Sequence, residues 1–314
     1  MALGLYVFHT GTYRLEGKGE APDLTRLYKK YLGPLRQIDL VWASCVLALL
    51  PLWWLVQAGD VVGNLLGITG GLMIAGLALY AVLKLDKVDR NRIFAILLLV
   101  PASVMFWAFF EQTGSSITLF AARGVDLEMF GWSFPVPWIQ SINPLFIMIF
   151  AVPFAWLWVA LDKRGFNPSL PSKFSLALLQ MGLGFYMFFL GIESAANGEK
   201  VAFLWLVLGY LFHTTGELCL SPVGLSAVTK LSVPKIVGLV MGVWFLANAF
   251  ANYAAGLIAM PASVDTVPGE DVPVEQALPL YGQLFESVAW VAVGTGLVLF
   301  VVSPLIRRLM HGVK

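Results

Sequence analysis

Eight apolar runs, each close to the length that carries an α-helix across a bilayer, decide what this chain can fold into. They occupy 40–57, 61–83, 93–122, 138–161, 174–196, 201–229, 236–260 and 284–306. A helix rises 1.5 Å per residue, so about 20 residues cross the roughly 30 Å hydrocarbon layer. Lipid gives the backbone no hydrogen-bond partner, and a helix supplies its own. Of 314 residues, 59% are hydrophobic and 12% charged, and mean hydropathy is +0.80. A soluble domain carries about 25% charged residues, which excludes a water-soluble globule and a disordered chain. Net charge of +1 gives no surface for a polyanion, so no nucleic-acid partner is expected. The chain reads as an all-α integral membrane protein.

The connections orient the spans. Eighteen of the 20 basic residues fall in 1–39, 84–92, 162–173, 230–235 and 307–314, and only Arg123 and Lys200 lie on the other side. Lys and Arg gather in cytoplasmic loops, so both termini are expected in the cytoplasm. The last outer connection, 261–283, carries Asp265, Glu270, Asp271 and Glu275 with prolines and glycines, and reads as irregular surface chain. Trp53, Trp54, Trp132, Trp138, Trp156 and Trp158 fall at span ends as headgroup anchors. In the second span Gly63, Gly67, Gly71 and Ala75 recur every fourth residue, a stripe that would let another helix approach closely. Cys45 and Cys219 lie in apolar runs and read as small buried hydrophobes. The first residues, to about 15, read as the end of a preceding helix.

Acids at lipid depth are costly and usually face a cavity or a partner. Glu111 and Glu217 are the two of interest, whereas Glu193, at the outer end of its span, reads as a solvated interface residue. Gln112, Thr113, Gly114, Ser115 and Ser116 follow Glu111, so the helix is polar there over more than a turn. Its alternatives are a base on a neighbouring helix or a wet pathway. Glu217 shares a helical face with His213, Ser221 and Gly224, and could be capped by His213 or Ser221 or left to a ligand. Pro222, Gly216 and Gly224 weaken the helix around it. HTTGE lacks the spacing of HExxH and no third ligand is near, so no metal is expected. Asn143, beside Pro144, is either a bridge between helices or a ligand group. Trp244, Asn248 and Asn252 recur at intervals of four. Trp244 lies too deep for an interfacial anchor, which leaves a core or a pocket position. Broken helices bearing polar groups near the midplane are the pattern of a substrate pathway in secondary transporters.

FWAFFEQTGSS (106–116), QSINPLFIMIFAVPFA (140–155) and GELCLSPVGLSAVTKLS (216–232) resemble the seventh, eighth and tenth helices of the proton-dependent oligopeptide transporters of the major facilitator superfamily. The resemblance implies a two-helix hairpin followed by a six-helix C-terminal bundle. Residues 1–38 would be the end of a preceding helix and a linker, 39–91 the inter-bundle hairpin of bacterial members, and 92–314 the bundle. It covers slightly more than half of the family's usual length, so an N-terminal six-helix bundle is expected in cis or in trans, and the chain alone could be inactive. The implied activity is proton-coupled symport of di- and tripeptides in the bacterial inner membrane, without cofactor and with the proton as coupling ion. The implied binding residues are Glu217 for the peptide ammonium, Asn143 beside it, and Trp244 lining the pocket, with Ser221 and Asn248 on the same faces. Glu111 would handle the proton, and Lys230 would be interfacial. A related facilitator for another nitrogen compound, nitrate or an amino acid, would share the fold. An intramembrane enzyme would have only His213 beside Glu217 to work with.

Overall fold

The computed structural model describes residues 2–11, 27–32, 34–129, 131–195, 199–262 and 273–313. Its helices are α1 (Ala2–Gly11), α2 (Gln37–Gln57), α3 (Gly59–Lys84), α4 (Lys87–Phe110), α5 (Ser116–Gly124), α6 (Ile142–Lys163), α7 (Leu170–Ser194), α8 (Phe203–Leu231), α9 (Val237–Ala259) and α10 (Val274–Leu309). Eight helical segments are long and apolar enough to cross a membrane, with α4 and α5 counted as one. The only strands among the described residues are two or three residues long, as where Val125–Asp126 pairs in parallel with Val201–Ala202. The all-α membrane architecture is the one the apolar runs demand.

Two compact units divide at Asn64 and Leu65, inside α3. In the first, α2 has no buried residue, as suits a helix whose surroundings are acyl chains. Cys45 is accordingly exposed. An apolar run marks lipid depth, not burial in protein, so the buried reading holds for Cys219 only. At the start of α2 the Arg36 guanidinium donates to both oxygens of Asp39, at 3.0 and 3.1 Å.

The second unit is built around α7, which packs against α8 on one side and α10 on the other. Glycine makes that packing close. A methyl group at Gly184 would overlap the His213 ring, and one at Gly209 would overlap Phe188. Phe120, Phe185, Phe188, Tyr281 and Phe285 fill the centre, with Phe120 and Phe285 edge to face at 5.2 Å. The Arg123 guanidinium donates to the Tyr281 hydroxyl at 3.2 Å, tying the end of α5 to α10.

Several expectations are corrected. The stretch around 274–283 is not irregular: α10 begins at Val274 and runs 36 residues, about 54 Å and well beyond the bilayer. Ala277, Leu278, Tyr281 and Phe285 form a buried stripe at helical spacing, a period hidden behind the acids. Asp265, Glu270 and Asp271 lie outside the described residues, as do 12–15. Glu286, on the exposed side of α10, sits 23 residues from its basic end. The third span is not one helix: α4 stops at Phe110, a 3-10 turn covers Glu111–Gly114, and Ser115 (φ −127°, ψ −98°) breaks the chain before α5. In the glycine stripe of α3, Gly67 and Gly71 seat no close neighbour: among the described residues nothing lies within 4 Å of a methyl group at either.

Candidate functional site

α6 touches α8 through Asn143, and a cavity of about 900 Å³ is lined by both helices. Ile147, Ala151, Phe154, Ala155 and Trp158 form its α6 wall, and Glu217, Ser221, Pro222 and Lys230 belong to its α8 wall. Both sets follow the i, i+4 spacing of one helical face. Prolines at 153 and 222 interrupt the hydrogen-bond ladders of the two walls.

Glu217 is half-buried near the middle of α8 and heads the cavity. Asn143 Nδ2 donates to its Oε2 at 3.0 Å and to Thr214 Oγ1 at 3.1 Å, and Thr214 Oγ1 donates to the Tyr210 carbonyl at 2.8 Å. Each proton in this chain has one direction, so Asn143 presents its amide hydrogens to the carboxylate and holds it toward the cavity. No Lys, Arg or His forms an ion pair with Glu217 among the described residues. A carboxylate at lipid depth with one amide donor and no ion pair among the described residues is chemically able to accept a cation. His213 does not cap it: that ring is buried against Phe185 at 4.7 Å and Phe188 at 5.5 Å. Ser221, one turn further along α8, lines the same cavity.

The remaining predicted residues stand apart from this cavity. Glu111, half-buried, caps α4 at the break in the third span. The break itself is fixed by Gln112, which is fully buried: its Nε2 donates to the carbonyls of Ala108 (3.2 Å) and Ala255 (2.9 Å), and its Oε1 accepts from Ser116 Oγ at 2.7 Å. Gln112 thus joins α4, α5 and α9, where the sequence suggested only a wet polar turn. Trp244 is 5% exposed and fills the slot left by Gly224, against Phe174 at 6.2 Å. It does not line the cavity. One turn along, the Oδ1 of Asn248 is buried and has no hydrogen-bond partner among the described residues.

Three participants escaped the sequence reading. Thr214 sits in the polar run His213–Glu217, where nothing in the sequence distinguishes it from Thr215. Lys173 reads from the sequence as a loop charge, but α7 starts at Leu170 and places it in the first turn. Its ammonium lies 4.5 Å from the ring centroid of Trp158, which therefore lines the cavity instead of anchoring at headgroups.

Residues 66–273 match the POT family, and these residues include Glu111, Asn143, Glu217, Ser221, Trp244 and Asn248. The chain belongs to the POT family. It is 38% identical over 240 residues to the peptide transporter YePEPT of Yersinia enterocolitica, covering 75% of this chain and 44% of that one. It is 28% identical over 319 residues to dipeptide and tripeptide permease B of Aeromonas hydrophila, covering 99% and 60%. A crystal structure of a mutant of the peptide transporter POT in complex with alafosfalin superposes with a TM-score of 0.76 at 32% identity, over 99% of this chain and 60% of that one. The chain spans about half the length of the curated relatives it matches. The family match runs across α4 to α9, which carry both half-buried acids and most of the cavity wall, the rest of which comes from Arg307, Met310 and Val313.

Proposed function

We propose that this chain is the C-terminal half of a proton-coupled symporter for di- and tripeptides, working by alternating access with a second six-helix bundle in cis or in trans. Residues 39–91 serve as the inter-bundle hairpin and 92–314 as the transport bundle, in a bacterial inner membrane with both termini in the cytoplasm. The observation that carries this reading is Glu217: a carboxylate heading a large cavity, held by Asn143 and Thr214 and lacking a cationic partner among the described residues. A peptide ammonium supplies that partner, and Ser221 adds an oxygen one turn away. Trp244 acts from within the bundle, where it sets the spacing of α8 and α9 at Gly224, and the buried, unpaired Oδ1 of Asn248 one turn along accepts from the substrate when α9 moves. Relatives named as peptide transporters support the substrate class.

Glu111 couples the proton because it sits at the break of the third span. Neutralising it removes a charge from a hinge, which lets α4 and α5 change their relative angle; releasing the proton on the other side restores the charge and the angle. Nitrate is the poorer fit because it would leave Glu217 without a cation, even where the basic residues of the cavity attract an anion. A free amino acid offers the same ammonium and is the nearest alternative; radiolabelled dipeptide uptake in competition with free amino acids separates the two.

The test is uptake into proteoliposomes of the assembled transporter. An inward proton gradient should concentrate labelled dipeptide, and Glu111→Gln should abolish concentration while leaving peptide exchange across the membrane. Concentrative uptake that survives Glu111→Gln would refute the coupling role, and absence of any peptide exchange in the native protein would refute the substrate class.

A further inference from the structure

The charges lining the α6–α8 cavity are sorted by depth. Glu217 heads it near mid-helix, and Lys173, Lys230 and Arg307 line its far end. None of these three cations forms an ion pair among the described residues. The acid on that wall, Asp162, accepts a hydrogen bond from Asn167 Nδ2 at 3.1 Å and lies near enough to Lys173 to attract it without forming an ion pair. Lys173 is half-buried and its ammonium is braced 4.5 Å above the Trp158 ring. An aromatic face stabilises a partly dehydrated ammonium without neutralising it, so the positive charge stays available to an anion. The two poles meet α6 in different halves of that helix: Asn143 touches Glu217 and Trp158 touches Lys173.

We infer that the basic end of the cavity is a second, separate station that binds carboxylate: Lys173, braced on Trp158 and flanked by Lys230 and Arg307, takes the C-terminal carboxylate of a peptide after its ammonium leaves Glu217. This rests on the peptide reading above for the identity of the solute, but the station itself is an anion site independent of Glu217. A peptide moving along the cavity therefore leaves carboxylate first, along a wall that changes from negative to positive.

The probe is N-acetylglycine, an anion with no ammonium, with N-acetylglycinamide as its neutral control, titrated by ligand-observed NMR onto the full chain in phosphatidylcholine nanodiscs. The acid should bind and the amide should not. Lys173→Gln should weaken the acid by about fivefold or more, and Arg307→Gln by about threefold or more, whereas Lys173→Arg leaves it within about twofold of the native value. Unchanged binding in both Lys173→Gln and Arg307→Gln overturns the station. So does loss of binding when a third of the lipid is replaced by phosphatidylglycerol, since the site would then belong to lipid headgroups. If Glu217→Gln proves irrelevant to dipeptides while these results hold, the peptide reading fails and the anion site stands.

Discussion

Asn143 connects two acceptors through one amide group, and both lose their donor together if it is removed. Replacing it with Ala leaves Glu217 Oε2 and Thr214 Oγ1 without that hydrogen bond, and a bond to a charged group contributes about 1.5–3 kcal/mol. Asn143→Ala should therefore weaken dipeptide binding about tenfold or more in calorimetric titration, and Thr214→Val, which removes the hydroxyl that braces Asn143, should weaken it less. Equal losses would mean that the amide is not the element that orients the acid. Gln112 makes a contrasting case. Gln112→Leu would remove the side-chain donor that ties the Ala255 carbonyl to α4 and leave Ser116 Oγ without its acceptor, at about 1–3 kcal/mol for the buried group left unpaired. The measurable consequence is a lower melting temperature in detergent, without a specific effect on peptide affinity. Composition identified Glu111 and Glu217 as anomalous because acids at lipid depth are rare. It did not separate Gln112, a structural staple, from the polar residues beside it, because the Ala255 carbonyl that it reaches is 143 residues away.

At the level of elements, the sequence reveals where helices are and says less about how closely they pack. Hydropathy located all eight spans, since lipid depth is written in composition. The length of α10 was concealed because Pro279 and the acids of its first turns carry loop signals, while the buried stripe at Ala277, Tyr281 and Phe285 is a matter of period. Glycine spacing misled in the opposite sense. The repeated pattern in α3 seats no close neighbour at Gly67 or Gly71, whereas the unpatterned Gly184 and Gly209 lie where side chains from α8 and α7 fill the space. Gly184→Ala and Gly209→Ala should each destabilise by about 1–3 kcal/mol, read as early loss of the folded fraction in thermal melts. Gly71→Ala meets open space and should be neutral, or stabilising by up to about 1 kcal/mol through helix propensity. Comparable losses at all three positions would show that packing around α7 is not what holds this unit together.

For the whole molecule, the asymmetry of charge makes a topological prediction. With Cys45 and Cys219 replaced by serine, Lys200→Cys should react with a membrane-impermeant maleimide added to intact cells, and Lys235→Cys only after the cells are opened. Reversed labelling would invert the assignment of the cavity's basic end to the cytoplasm and, with it, the direction in which a carboxylate leaves. The same scale explains what the sequence left unread at the site. Lys173 looks like loop charge and Trp158 like a headgroup anchor when each is judged by position along the chain. Their meeting depends on how α6 crosses the entry to α7, a tertiary fact.

Calorimetric titration of the assembled transporter with a dipeptide and with its N-acetyl derivative, in the native protein and in Glu217→Gln, most directly tests Glu217 as the receptor for a peptide ammonium. The native protein should prefer the free amine by about 10- to 100-fold, matching the 1.5–3 kcal/mol of a charge-assisted hydrogen bond, and Glu217→Gln should erase most of that preference while binding the acetylated peptide as before. An undiminished preference for the free amine in Glu217→Gln would contradict the account at its centre.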